Sequence, residues 1–265
     1  MPIQTVGDID IHWLRQGEGP RLLFITGTGS DLRNRPGVFD GPYPKAFDVL
    51  SYDQRGLGQT SKPDAPYSMA QYGDDAAGLM DALGWDDALV LGASFGGMVA
   101  QELVLRHPRR VRRLVLACTS PGGAGGSSYP FHTLDGMDLV ERAKRLIPVS
   151  DTRRDAAWAA ANPEDYAQWV AFGAQDPFAV EPGHAMGARR QLEARAHHDT
   201  WARLPEIACP VMIAAGSHDG VALPATQHAM AGRIPGAVLR FFDGGHMFML
   251  QDRTANPAII DFLNG

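Results

Sequence analysis

The stretch from Asp87 to Arg106 limits the folds open to this chain more than any bulk property does. It begins with a short apolar run, Ala88 to Leu91, with the length and character of a buried strand. Gly92-Ala93-Ser94-Phe95-Gly96-Gly97 follows, and the periodicity then changes: Phe95, Met98, Val99 and Leu103 share one face of a helix. Ser94 therefore stands where a strand turns directly into a helix, with a glycine two residues before it and another two after. A turn this tight leaves no room for a Cβ at Gly92 or Gly96, and it holds the serine clear of the sheet above a helix N-terminus. In that context Gly-x-Ser-x-Gly forms a nucleophile elbow. Without the flanking strand and helix, the bare pattern would describe only a glycine-rich turn.

The rest of the chain alternates in the same way. Ile3 to Val6 and Ile9 to Leu14 read as a hairpin around Gly7-Asp8. Strands are expected at Arg21 to Ile25, Phe47 to Tyr52, Val111 to Ala117, Val211 to Ala215 and Val238 to Phe242. Helices are expected at Met69 to Leu83, with Ser68 as N-cap and Gly84 as the stop, near Leu223 to Ala231, and near Asn256 to Leu263. Three prolines between Asp31 and Lys45 leave only short, broken helix there. Alternation of this kind implies a mostly parallel eight-stranded sheet covered by helices on both faces. Pro121-Gly122-Gly123-Ala124-Gly125-Gly126-Ser127-Ser128 interrupts it, and no strand is evident from Tyr129 to Leu204. That segment reads as helices near Asp138 to Leu146, Thr152 to Ala161, Pro163 to Phe172 and His184 to His197. The expected organisation is thus a core of residues 1–127 and 206–265, with an inserted helical cap at 128–205. Trp158, Trp169, Phe172, Tyr129 and Phe131 would mostly form the cap's own core, with one or two lining an apolar pocket.

A chain of 265 residues can bury one full core. Its net charge of −6 and pI of about 5.8, with no dominant basic stripe, argue against a nucleic-acid partner; the arginines at 109, 110, 112 and 113 read as a solvated connection. Two cysteines, Cys118 and Cys209, make no disulfide framework and read as small buried residues beside strands. The N-terminus lacks a signal-peptide pattern and no long apolar run spans a membrane, so a cytoplasmic protein without membrane partners is expected. No cluster has metal-ligand spacing, and no metal or organic cofactor is implied.

A serine hydroxyl needs a base within hydrogen-bond reach, and the base needs a third group to orient it. Of nine histidines, His246 in Gly244-Gly245-His246 follows the last expected strand, where a loop can overhang the carboxyl ends of the sheet. Asp219 is the only carboxylate in the loop after the preceding strand and is the preferred acid. Asp243, three residues before His246, is its rival, disfavoured because it shares the histidine's own short loop. Two backbone N–H groups must await an oxyanion. Phe95 supplies one, and Thr28 in Thr26-Gly27-Thr28-Gly29 is the choice for the other. A phosphate-cradling role for that loop is weak, since the lysine and Ser/Thr of a P-loop are missing.

Taken together, Thr26-Gly27-Thr28-Gly29, Asp53-Gln54-Arg55-Gly56-Leu57-Gly58, Gly92 to Gly97, Asp219 and Gly244-Gly245-His246 resemble the α/β-hydrolase superfamily over essentially the whole chain, and look most like small esterases and enol-lactonases. The resemblance implies a triad of Ser94, Asp219 and His246. Two positions depart from the usual pattern. Thr26-Gly27 stands where His-Gly is common, which leaves the anchoring of the oxyanion loop in question, and Phe95 stands where Met or Gln is common, which would narrow the acyl site. The expected activity is hydrolysis of carboxylic esters by a monomer or homodimer acting on a small ester or lactone. The alternatives are lactone opening, C–C bond hydrolysis or peracid formation with the same triad, and a ligand-binding receptor on the same fold.

Overall fold

The computed structural model describes residues 2–265. Ile3–Val6 (β1) and Ile9–Gln16 (β2) form the expected antiparallel hairpin, turning at Gly7 with φ +57°. Arg21–Ile25 (β3), Asp48–Tyr52 (β4), Ala88–Ala93 (β5), Val111–Ala117 (β6), Val211–Gly216 (β7) and Val238–Phe242 (β8) complete an eight-stranded sheet in the order β1-β2-β4-β3-β5-β6-β7-β8. β2 joins β4 antiparallel, and every pairing from β4 to β8 is parallel.

The central strands are apolar throughout because both faces are covered. Leu23, Ile25, Val90, Leu114, Leu116 and Ile213 point into one core layer, while Leu22, Phe24, Leu89, Leu91, Val115 and Met212 point into the other. Each such fully buried side chain contributes about 1.5–3 kcal/mol. Met69–Ala82 (α1) and Phe95–Arg106 (α2) cover the first face. Ser68 caps α1 as expected: its Oγ accepts from the Gln71 N–H, and the Gln71 side chain accepts from the Ser68 N–H at 2.9 Å.

Between β6 and β7 the chain carries helices and no strand: Leu139–Ser150 (α3), Ala156–Ala161 (α4), Pro163–Gly173 (α5) and His184–Ala196 (α6). α3 continues past Pro148, four residues beyond the expected end at Leu146. A proline in the last turn removes only one ladder bond, and the carbonyls beyond it are taken up by neighbouring loops. α4 begins late, at Ala156, because the Asp155 carboxylate caps it by accepting from the Trp158 N–H at 2.8 Å. The aromatic side chains here do not form a core of their own. α4 and α5 bury no residue fully, and Phe172 is 58% exposed. Such short helices cannot enclose anything without leaning on their neighbours, and α5 packs on α3. Tyr129 and Phe131 do line a cavity. After β7 come Pro224–Arg233 (α7), the short Phe248–Gln251 (α8) and Ala255–Asn264 (α9). Cys118 is buried, whereas Cys209 is only half-buried, since it lies in the connection ahead of β7 and not within the strand. Among the described residues no helix is long and apolar enough to cross a membrane.

Candidate active site

Ser94 links β5 to α2 with φ 55° and ψ −117°, a region that side-chain-bearing residues rarely enter. Strand and helix converge so closely that a Cβ on Gly92 would overlap the Gly96 carbonyl, and one on Gly96 would overlap the Ile25 carbonyl. The turn is held from beside it by the Ser94 N–H donating to the Ala117 carbonyl at 2.8 Å and by the Thr119 hydroxyl donating to the Ser94 carbonyl at 2.7 Å. The strained backbone thus presents Oγ above the carboxyl ends of the strands.

Ser94 Oγ lies 3.0 Å from His246 Nε2, and His246 Nδ1 lies 2.8 Å from Asp219 Oδ2. The three side chains that the sequence separates by more than 150 positions meet in one line. Asp219 sits in the loop after β7 and is 1% exposed. Its other oxygen accepts from the Val221 N–H at 2.7 Å and the Ala222 N–H at 2.9 Å. Those two donors fix the carboxylate plane. The rival, Asp243, is turned away: its side chain is 77% exposed and pairs with Arg153 at 2.7 Å. A carboxylate on the same short loop as the histidine does not reach back to Nδ1 here. His218 is half-exposed and lies 3.8 Å from Asp243.

The loop carrying His246 is docked on the end of α3. The His246 N–H donates to the Ser150 carbonyl at 2.6 Å, and the Gly220 N–H, beside Asp219, donates to the Val149 carbonyl at 3.0 Å. Gly245 allows this approach, since a Cβ there would overlap Ser150 and Asp151. Gln251, on α8, accepts from the Gly245 N–H at 2.7 Å and donates to Asp151 at 3.1 Å. An imidazole held this way can keep a proton on Nδ1 and receive one on Nε2.

A family model described as the alpha/beta hydrolase fold matches residues 20–252. The chain belongs to the α/β-hydrolase family. Among its relatives is a Caulobacter sp. protein provisionally named a carbamate hydrolase, 32% identical over 97% of this chain and 95% of its own length. Another is 3-oxoadipate enol-lactonase 2 of Acinetobacter baylyi, 27% identical over 95% of this chain and 91% of its own. The crystal structure of an enol-lactonase from Burkholderia xenovorans superposes over the full length of both chains with a TM-score of 0.80 at 27% identity.

In this hydrolase the loop after β3 approaches the elbow closely, with Gly27 against Ser94. The backbone N–H groups of Thr28 and Phe95 find no acceptor among the described residues. The Phe95 side chain does not narrow an acyl site, contrary to what its bulk suggests. It is fully buried and meets Tyr72 of α1 edge-on at 5.0 Å, so its ring belongs to the core between the two helices.

The loop after β3, which has Thr26 where the resemblance has histidine, is anchored from elsewhere. Gln54, in the polar turn after β4, donates to the Thr26 carbonyl at 2.8 Å. Gln191 Oε1 accepts from the Gly29 N–H at 2.9 Å, and Arg195 Nη1 donates to Thr28 Oγ1 at 2.7 Å. Sequence reading did not single out Gln191 or Arg195. Their signal was faint: a glutamine and an arginine four apart on a face of α6 that also buries Gly187 and Leu192. Arg195 further borders a cavity of about 120 Å³ beside Met98, shared with Ser128, Tyr129, Phe131 and His198. Burial lowers His198 to about 4 and keeps it neutral.

The Asp53-Gln54-Arg55 turn is a scaffold under this loop. Asp53 accepts from the Leu32 N–H at 2.7 Å and meets His12 Nδ1 at 2.8 Å, while Arg55 is pinned between Asp75 and Asp8, both at 2.8 Å. Among the described residues no serine or cysteine hydrogen-bonds the ring of this second His–Asp pair, which meets only Asp53 and Gln59.

Proposed function

We propose that this hydrolase cleaves small carboxylic esters through a Ser94–His246–Asp219 triad and an acyl-enzyme intermediate. The reading is carried by the unbroken chain of contacts from hydroxyl to imidazole to buried carboxylate, with two unclaimed backbone donors alongside. Ser94 Oγ attacks the ester carbonyl carbon while its proton passes to His246 Nε2. The carbonyl electrons move onto oxygen, and that oxyanion accepts from the N–H groups of Thr28 and Phe95. The imidazolium, steadied by Asp219, returns its proton to the departing alcohol. Water then repeats the sequence on the acyl group and frees Ser94. The helical segment at 128–205 is assigned as a cap over the pocket, supported by the contacts of Gln191 and Arg195 with the loop after β3. The free thiols of Cys118 and Cys209 are in keeping with a reducing, cytoplasmic setting.

Ser94→Ala should cut turnover of p-nitrophenyl esters by roughly 10⁴-fold or more, and an organophosphonate should form one adduct, at Ser94. Ester hydrolysis that survives the substitution would remove Ser94 from the mechanism. A second reading, lactone opening with the same residues, is supported by the enol-lactonases among the relatives. Comparing linear esters and lactones at equal concentration separates the two.

A further inference from the structure

Arg195 is the anomaly of the site. Its residue is only 6% exposed, yet no carboxylate lies within ion-pairing distance of it among the described residues. The other buried guanidinium among the described residues, that of Arg55, has Asp75 and Asp8. The Asp219 carboxylate acts on it only from beyond ion-pairing distance, and a desolvated cation so weakly compensated is unfavourable, so its retention calls for an anion that arises in use. Arg195 Nη1 donates to Thr28 Oγ1 and Nη2 donates to Ser128 Oγ, each at 2.7 Å, and the guanidinium rests on the Phe131 ring at 4.6 Å. All of these partners are neutral. The Thr28 hydroxyl accepts the arginine's hydrogen bond, and its own proton has no acceptor among the described residues. The backbone N–H of the same residue has none either.

We propose that the Thr28 hydroxyl is a third donor to the oxyanion and that Arg195 is the positioning residue that orients and polarises it. The inference rests on the ester-hydrolase reading above. An O–H whose oxygen accepts from a guanidinium is a stronger donor, and its rotor is set with the proton pointing away from the arginine. When Ser94 Oγ bonds to the carbonyl carbon, the carbonyl electron pair settles on oxygen, and the serine proton moves to His246. The new charge then meets three donors: Thr28 N–H, Phe95 N–H and Thr28 Oγ1–H. Behind them stands an otherwise unpaired positive charge, whose missing counterion is the oxyanion itself. Because Arg195 belongs to α6 and Thr28 to the loop after β3, the third donor is armed only while the helical segment sits on the core.

The test uses a neutral p-nitrophenyl ester, so that no substrate charge can engage Arg195, and a trifluoromethyl ketone that forms a tetrahedral oxyanion on the serine. Thr28→Val and Arg195→Met should each lower kcat by roughly 10–100-fold with KM changed less than about threefold, and each should weaken the ketone by a similar factor. Thr28→Ser and Arg195→Lys should recover most of the loss. The double variant Thr28→Val/Arg195→Met should be no slower than the slower single variant, because one substitution already silences the path through the other. Circular dichroism confirms that each variant is folded; should Arg195→Met not fold, the Lys variant and Thr28→Val carry the comparison. An unchanged kcat in Thr28→Val, fully multiplicative losses in the double variant, or an Arg195 effect confined to KM would overturn the proposal. So would an effect seen only with an ester bearing a carboxylate, which would make Arg195 a substrate anchor instead. Absence of both ester turnover and a Ser94 adduct in the unaltered chain would sink the esterase reading itself, and this one with it.

Discussion

Replacing Asp219 by asparagine gives the sharpest test of the triad, because the structure dictates which way the amide must face. One carboxylate oxygen accepts from two backbone donors, the N–H groups of Val221 and Ala222, while the other meets His246 Nδ1. Asparagine keeps the shape but has only one oxygen. If that oxygen stays on the two backbone donors, the NH₂ faces His246 and forces Nδ1 to accept. The ring proton then sits on Nε2, and the imidazole cannot take a proton from Ser94. The flipped amide restores the tautomer but sets its NH₂ against two buried donors, leaving both unsatisfied at about 1–3 kcal/mol each. A flip penalty of roughly 2–6 kcal/mol holds the productive orientation to about 3% at most. Loss of the negative charge that steadies the imidazolium adds to this, and kcat should fall by about 10⁴-fold overall, with KM within a few-fold and thermal stability near that of the parent. Steady-state kinetics on a p-nitrophenyl ester, run beside Asp243→Asn, reads the result. A kcat within tenfold of the parent, or a larger loss in Asp243→Asn, would refute the assignment of the acid.

Two further outcomes follow from the packing. Gly245→Ala drives a Cβ into Ser150 and Asp151; it should cost about 1–3 kcal/mol of stability, visible as a Tm lowered by several degrees in calorimetry, and should reduce kcat more than tenfold by displacing His246. Burial lowers His198 to about 4, against about 6.5 in an unfolded chain, so between those values the unfolded state binds the proton and the native state does not. The stabilisation is complete above pH ~6.5 and is lost as pH falls toward ~4, by roughly 3 kcal/mol. Urea titrations across that range should show the decline, and a folded His198→Leu variant should lack that share of it.

Most of the sheet was legible in the chain, because two-sided burial writes itself as continuous apolar runs such as Leu89-Val90-Leu91 and Val211-Met212-Ile213. The elbow was legible because its glycines answer a steric demand that few other turns make. The meeting of Asp219 with His246 could be anticipated from their places after successive strands, since neighbouring parallel strands bring their following loops together. What stayed hidden depends on contacts across distant elements. Nothing local to Phe95 says that its ring lies against Tyr72, and nothing local to Arg195 says that it reaches Thr28. Likewise α3 outruns Pro148 because its last carbonyls find donors at Gly220 and His246, more than sixty residues later. The surface helices α4 and α5 were recognised as helices, but their aromatic content suggested an interior that their short length cannot enclose.

The junction at the end of α3 restricts how the molecule can breathe. Val149 and Ser150 are fastened to the backbone beside Asp219 and at His246, Thr152 is fastened to His218, and Gln251 bridges Asp151 to Gly245. That margin of the helical layer cannot swing outward without dragging the imidazole off the serine. At the opposite margin α6 meets the core through the side chains of Gln191 and Arg195 and through Gly187 packed closely on Gly56; none of these contacts is made to the His246 loop, so a shift on that side leaves the histidine moored.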